Sequence, residues 1–146
     1  MVPSENIKRL KNQLAGRIAL LHHDTARAIE ELTRAEARLP PYPGSPPGIG
    51  QASAIRFDLG SAYLAAGNDT DALARFQRIV DGGIQRIWNP IEFVRSLYHL
   101  GQIYERRGDR DRAKAFYRRF VQYWGDGDID RERVAEARKR INRVIE

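Results

Sequence analysis

Apolar residues recur along this chain at intervals of three and four, the spacing that gathers them on one face of an α-helix. Ile55, Leu59, Ala62, Tyr63 and Ala66 form one such face within Gln51 to Ala66, and Val134, Ala137, Ile141 and Val144 form another within Asp130 to Ile145. Strand-like alternation of apolar and polar residues bounded by turn residues appears nowhere over a useful length, so the predicted fold class is all-α. Helix ends can be placed from capping residues. Ser4 caps a first helix running to about Leu21, and Asp24 caps a second to Leu39. Gln51 to Ala66 is followed by the turn Gly67-Asn68-Asp69, then by a helix over Thr70 to Val80. Asn89-Pro90-Ile91-Glu92 supplies an N-cap, a proline at the first helical position and an acid at the third, which starts a fifth helix ending at Gly108-Asp109. Arg110 to Trp124 and Asp130 to Ile145 complete seven predicted helices.

Two breaks interrupt the series. Residues 40 to 50 contain five of the seven prolines and must form a loop, and Asp81-Gly82-Gly83 opens a shorter connection over residues 81 to 88. Between the breaks the chain repeats itself. Leu59-Gly60 and Tyr63 match Leu100-Gly101 and Tyr104, Gly67-Asn68 matches Gly108-Asp109, Ala72 matches Ala113, and Phe76 matches Tyr117, all at a spacing of 41. A fainter copy lies 44 residues upstream, where Gly16, Asp24, Ala28 and Leu32 stand in for Gly60, Asn68, Ala72 and Phe76. Gly and Ala let two helices approach closely, large side chains fill the space between pairs, and the Gly-Asn or Gly-Asp pair makes a tight turn.

The pattern Leu-Gly-x-x-Tyr on one helix and Ala-x-x-x-Phe on the next resembles the tetratricopeptide repeat. The resemblance implies a right-handed array of three helix hairpins closed by a C-terminal capping helix. As a single domain over 1–146, it would place repeat one at about 4–39, repeat two at about 51–80, repeat three at about 89–124 and the cap at about 130–145. Departures from the pattern are visible. Ala15, Ala19 and His23 replace the expected Leu, Tyr and turn Gly in the first copy, and Arg56 and Leu97 stand where the family has Trp. The spacings exceed the usual period of about 34 residues, so the extra residues fall in the two loops. Tyr98 to Glu105, Arg118 to Phe120 and Trp124 to Asp128 further resemble the repeat tail of multidomain bacterial signalling proteins, which implies attachment to a larger chain.

Composition narrows the chemistry. The absence of cysteine excludes disulfide frameworks, thiolate zinc sites, iron–sulfur clusters and thiol catalysis in this chain. No basic stretch followed by an apolar segment opens it, and the longest early apolar run is Ile18 to Leu21, so neither a signal peptide nor a membrane span is expected and a cytoplasmic location is. No catalytic motif is evident. His22 and His23 are neighbours about 100° apart on a helix and lie outside any His-Glu-x-x-His pattern. Asp126, Asp128 and Asp130 alternate like the start of a calcium loop, but Arg131 replaces its glycine and Ala137 its final glutamate, which leaves helix capping by Asp128 or Asp130 as the expected role. The glycine clusters lack the phosphate-loop spacing. No enzyme activity, cofactor or metal site is expected.

The tetratricopeptide resemblance implies that first helices line a groove. The residues carried over to it are Gln13, Arg17 and Leu20 from the first copy, then Ala54, Phe57, Ser61 and Leu64 from the second. The third contributes Arg95, Tyr98, His99, Gln102, Glu105 and Arg106. The core of this candidate site is Gln13, Arg17, Phe57, Ser61, Arg95, Tyr98, His99, Gln102 and Arg106. Arginine forks suit carboxylates and aromatic rings offer flat apolar area, so the expected partner is a protein or peptide, acidic in character. Gln13, Ser61 and Gln102 do not reproduce the Lys and Asn positions of carboxylate-clamp repeats. The net charge is +6, and residues 106–146 hold 13 Lys+Arg against 8 Asp+Glu. Acids interleave with these bases, as in Glu136 and Arg140, so nucleic acid is disfavoured as a partner. A homo-oligomer is the alternative, through Ile87 and Trp88 or an incompletely covered first helix. Trp88 is expected to pack as core between repeats two and three, and Trp124 against the cap.

Overall fold

A computed structural model describes residues 4–40, 51–83 and 85–143 of the chain. It divides into two compact units, Met1–Asn89 and Pro90–Glu146. The first contains α1 (Glu5–Leu21), α2 (Thr25–Ala37), α3 (Gln51–Ala65), α4 (Asp69–Val80) and a short α5 (Gln85–Trp88). The second contains α6 (Pro90–Arg106), α7 (Arg110–Trp124) and α8 (Arg131–Asn142). Every regular element among the described residues is helical, as the apolar spacing predicts.

Three hairpins, α1/α2, α3/α4 and α6/α7, share one turn. In each, a residue with positive φ precedes the N-cap of the second helix: His23 at 59°, Gly67 at 76° and Gly108 at 78°. The next amide reaches back to the first helix, Asp24 N to Ala19 O, Asn68 N to Tyr63 O and Asp109 N to Tyr104 O, each at 2.9 Å. The same three residues then cap the second helix, accepting from Arg27 N, Asp71 N and Arg112 N at 3.1 Å. This is a left-handed helix stop joined directly to an N-cap. The faint first copy therefore has the geometry of the later two, with His23 in the glycine's place.

Packing follows the repeat register. A Cβ on Gly16, Gly60 or Gly101 would meet Leu32, Phe76 or Tyr117 within 2.5 to 2.9 Å, so each hairpin closes on a bare backbone opposite a large side chain. Ala19, Ala28, Leu32, Leu59 and Ala62 form a buried cluster that joins α2 to α3 in the first unit. In the second, α8 packs on α7 with Val134 and Ala137 buried, as a capping helix should.

Several expectations change. Residues 85–88 of the connection read as loop form the short helix α5, so the described residues carry eight helices. Trp88 is not core: it is 64% exposed, with Ile87 beside it. Trp124 is only half-buried, edge-on to Phe120 at 5.7 Å with the Arg95 guanidinium 5.9 Å from its ring. Asp130 occupies the N-cap of α8 at φ 53° but makes no capping hydrogen bond. Its carboxylate is engaged elsewhere. Residues 41–50 of the proline loop, and the predicted helix end at Val144 and Ile145, lie outside the described residues.

Candidate partner-binding faces

In the first unit, a carboxylate joins two first helices. Asp58 of α3 accepts from Gln13 Nε2 at 3.1 Å and from Arg17 Nε at 2.7 Å, both on α1. Gln13 is buried by this contact, whereas about half of the Arg17 side chain stays open to solvent. Phe57 precedes Asp58 on α3 and is half-buried, edge-on to Phe76 at 5.6 Å. The Ser61 hydroxyl donates to the Phe57 carbonyl at 2.9 Å, a bond within its own helix. Four candidate residues thus sit on α1 and α3, with Asp58 as the tie between the two helices.

In the second unit, several candidates on α6 are turned to α8. Arg95 forks onto Asp130 with Nε–Oδ2 at 2.9 Å and Nη2–Oδ1 at 3.3 Å, and Arg133 reaches the same carboxylate at 3.1 Å. Tyr98 is buried and donates its hydroxyl to Glu136 at 2.6 Å. Arg140 of α8 pairs with Glu136 through Nε at 3.0 Å and also with Glu105 of α6, which in turn accepts from the Tyr117 hydroxyl at 2.9 Å. The expected Glu136 and Arg140 pair on one helix face is therefore present, extended into a network of five side chains. Gln102 donates to the Tyr98 oxygen at 3.4 Å and presents its own oxygen to His99 Nδ1 at 3.1 Å. Arg106 is exposed in the last turn of α6.

The electrostatics follow from these contacts. Burial, helped by Glu136, pushes the Tyr98 phenol up. The Tyr98 hydrogen bond and then Arg140 hold Glu136 below the usual carboxylate range. Burial likewise raises the Tyr117 phenol, with Glu105 adding to it. The His99 imidazole is pushed down to about 4, mainly by burial and also by Arg133, Arg95 and Arg106, against the hydrogen bond it makes to the Gln102 oxygen. His99 is thus neutral near pH 7.

An open recess of about 510 Å³ at the start of α8 is lined by Arg95, Asp128, Asp130, Arg131, Glu132 and Arg133. Its arginines are already matched, Arg131 by Asp128 and the other two by Asp130. Among the described residues no group of three or more His, Asp or Glu could hold a metal ion. No described helix is long and apolar enough to cross a membrane.

The acceptors Asp58, Asp130 and Glu136 were not singled out as partners of the groove residues in the sequence. Their signal was charge alone, one carboxylate on the helix packed against each basic or phenolic side chain. That signal is weak because helices of this chain carry acids on several faces.

Residues 55–81 and 95–126 match the family model of the tetratricopeptide repeat. The two stretches span most of α3/α4 and of α6/α7, and the first hairpin lies outside both. No curated protein matches the chain.

Proposed function

Taking as its premise that this chain belongs to the tetratricopeptide-repeat family, we propose that it is a non-enzymatic protein-interaction module of the cytoplasm. It binds a peptide or partner protein along the faces of its first helices. The observation that supports this most is the bonded pair of first helices, α1 and α3, where the half-open Arg17 guanidinium is held by Asp58 next to Phe57. A guanidinium fixed by one carboxylate still has donors for a second acceptor, and an aromatic face beside it adds apolar area. An acidic peptide matches both. On α6, Gln102 and Arg106 remain the more open members, since Arg95 and Tyr98 are engaged by α8.

Site-specific photocrosslinking tests the reading. A photoreactive residue at Ser61 or Gln102, on first helices, should yield partner adducts in cells, whereas the same residue at Thr33 or Arg118, exposed on second helices, should not. Adducts formed only from the second helices, or equally from all four positions, would overturn it.

A second reading rests on α5. Ile87 and Trp88 expose adjacent large apolar side chains, and an exposed tryptophan of this kind offers area that a protein contact would bury. Self-association through this pair should appear as concentration-dependent sedimentation that Trp88→Ala abolishes. Sedimentation as a monomer at every concentration would dismiss it.

A further inference from the structure

Five aliphatic side chains lie in line on the solvent side of α1. Ile7, Leu10, Leu14, Ile18 and Leu21 are between 45 and 79% exposed, while Arg9, Gln13, Gly16 and Ala19 of the same helix are buried. Their spacing of three and four makes one stripe about 20 Å long at 1.5 Å per residue. Isolated exposed aliphatics are ordinary, but five in register on one helix form a contiguous apolar surface.

The internal repeat shows what such a face meets. At the spacing of 44, the stripe corresponds to Gln51, Ala54, Asp58, Ala62 and Ala65 of α3. There, Asp58 is held by Gln13 and Arg17 of α1, and Ala62 is buried against Ala28 and Leu32 of α2. The face that small and polar residues fit to a neighbouring hairpin in α3 is therefore built from large aliphatics in α1. Side chains of this size hold the neighbouring backbone off and interlock between the side chains of a facing helix. Charge narrows the occupant. Lys11 stands at one edge of the stripe, one turn before Leu14, exposed and without an ion-pair partner among the described residues, with Lys8 beyond it and Arg17 at the opposite edge. A second copy is a poor match, because parallel pairing sets Lys11 against Lys11 and antiparallel pairing about Leu14 sets Lys11 against Arg17.

We propose that this face of α1 docks an amphipathic α-helix of a partner protein, aliphatic along one stripe and carrying a carboxylate opposite Lys11. Apart from Arg17 at its edge, the surface shares no residue with the candidate groove, and the variants at Lys11 and Leu14 leave Arg17 in place, so the two readings are tested separately. Two labelled synthetic 21-residue helical peptides with the same heptad leucines, flanked by glutamates in one and by lysines in the other, are titrated with the full chain by fluorescence anisotropy. The glutamate peptide binds saturably and at least tenfold more tightly than the lysine peptide. Leu14→Glu weakens it at least tenfold, Lys11→Glu reverses the order of the two peptides, and Trp88→Ala changes neither. Both α1 positions are exposed, and circular dichroism melts matching the parent show that the variants fold. Equal binding of the two peptides, no saturable binding, or indifference to Leu14→Glu overturns the proposal. So does a dimer of the chain alone that Leu14→Glu dissolves, which would assign the face to a second copy.

Discussion

A β-carbon on Gly101 would stand 2.7 Å from Cε1 of Tyr117, closer than any relaxed carbon contact. Tyr117 is almost fully buried, held by Glu105 at its hydroxyl and by Tyr98 edge-on at 5.8 Å, so the ring cannot swing away. Gly101→Ala should therefore lower stability by about 1–3 kcal/mol through overpacking. Gly127 offers the contrast, since its nearest neighbour to an added Cβ is the Trp124 carbonyl at 3.7 Å. Urea unfolding of the two variants should separate them, with Gly127→Ala close to the parent; equal midpoints would contradict the close approach of α6 and α7.

His23 holds a backbone angle of 59° where the other two hairpins have glycine. A side chain in the left-handed region costs on the order of 1 kcal/mol, and His23 is exposed, so its ring contributes little in return. His23→Gly should raise the melting temperature, corresponding to a gain of up to about 1 kcal/mol, while Gly108→Ala should lower it by a similar amount. Calorimetry on both variants checks the pair, and a lower melting temperature for His23→Gly would show that the turn gains more from the imidazole than it loses in strain.

Arg95 and Asp130 form a two-bond ion pair across 35 residues, with Arg95 about a third open to solvent at 35% and Asp130 better shielded. Screening keeps such a pair modest, so a double-mutant cycle with Arg95→Ala and Asp130→Asn should give a coupling of about 1 kcal/mol. Asparagine is the suitable replacement because it tolerates the left-handed backbone that Asp130 adopts at φ 53°. Strictly additive losses would mean that the Arg95–Asp130 pair adds nothing to the hold of α8 beyond its apolar stripe and its other polar contacts.

His99 has an ordinary pKa of about 6.5 when unfolded and about 4 in the folded chain. Between these values the unfolded state binds the extra proton, so stability falls as pH drops from about 6.5 to 4 and levels off below. Arg95, Arg106 and Arg133 press in the same direction as burial, and Gln102 opposes. Denaturant midpoints of the parent and His99→Gln, measured from pH 7 to pH 4, should differ in slope, with the variant losing less stability on acidification. Parallel curves would mean that His99 protonates in the fold without penalty.

Glu136 responds in a lower window. Its carboxyl is held down by Tyr98 and then Arg140, so the stabilisation it provides is complete above about pH 4.5 and is lost as pH falls through its depressed folded value. The melting-temperature gap between the parent and Glu136→Gln should narrow on acidification below about pH 4.5. A gap independent of pH would deny the ionised carboxylate a role in holding α8.

The helices, their caps and the repeat register were legible from consecutive residues. Ser4 and Asp24 cap where the sequence places them, Asn68 and Asp109, read as turn residues, cap the helices that follow, and the Gly16, Gly60 and Gly101 register places a large residue opposite each bare backbone. Such features depend on neighbours within one or two turns, on helical period and on the few residues that suit left-handed turns. The candidate groove was legible only as a choice of helix. Whether Arg95 faces open solvent or Asp130, and whether Tyr98 meets a ligand or Glu136, depends on a helix 30 to 40 residues further along the chain.

Residue order alone thus decided the all-α class, the hairpin turns and the repeat signature that the family model matches, because each is a local pattern repeated along the chain. Three-dimensional packing decided where the long side chains end. It tied Gln13 and Arg17 to Asp58, drew Asp130 away from its capping role, left Trp88 exposed and left five aliphatics of α1 uncovered. Arginine and tyrosine reach several ångströms from their backbone and can satisfy their donors with any acceptor in range, so their partners are set by which helices pack together rather than by the residues beside them.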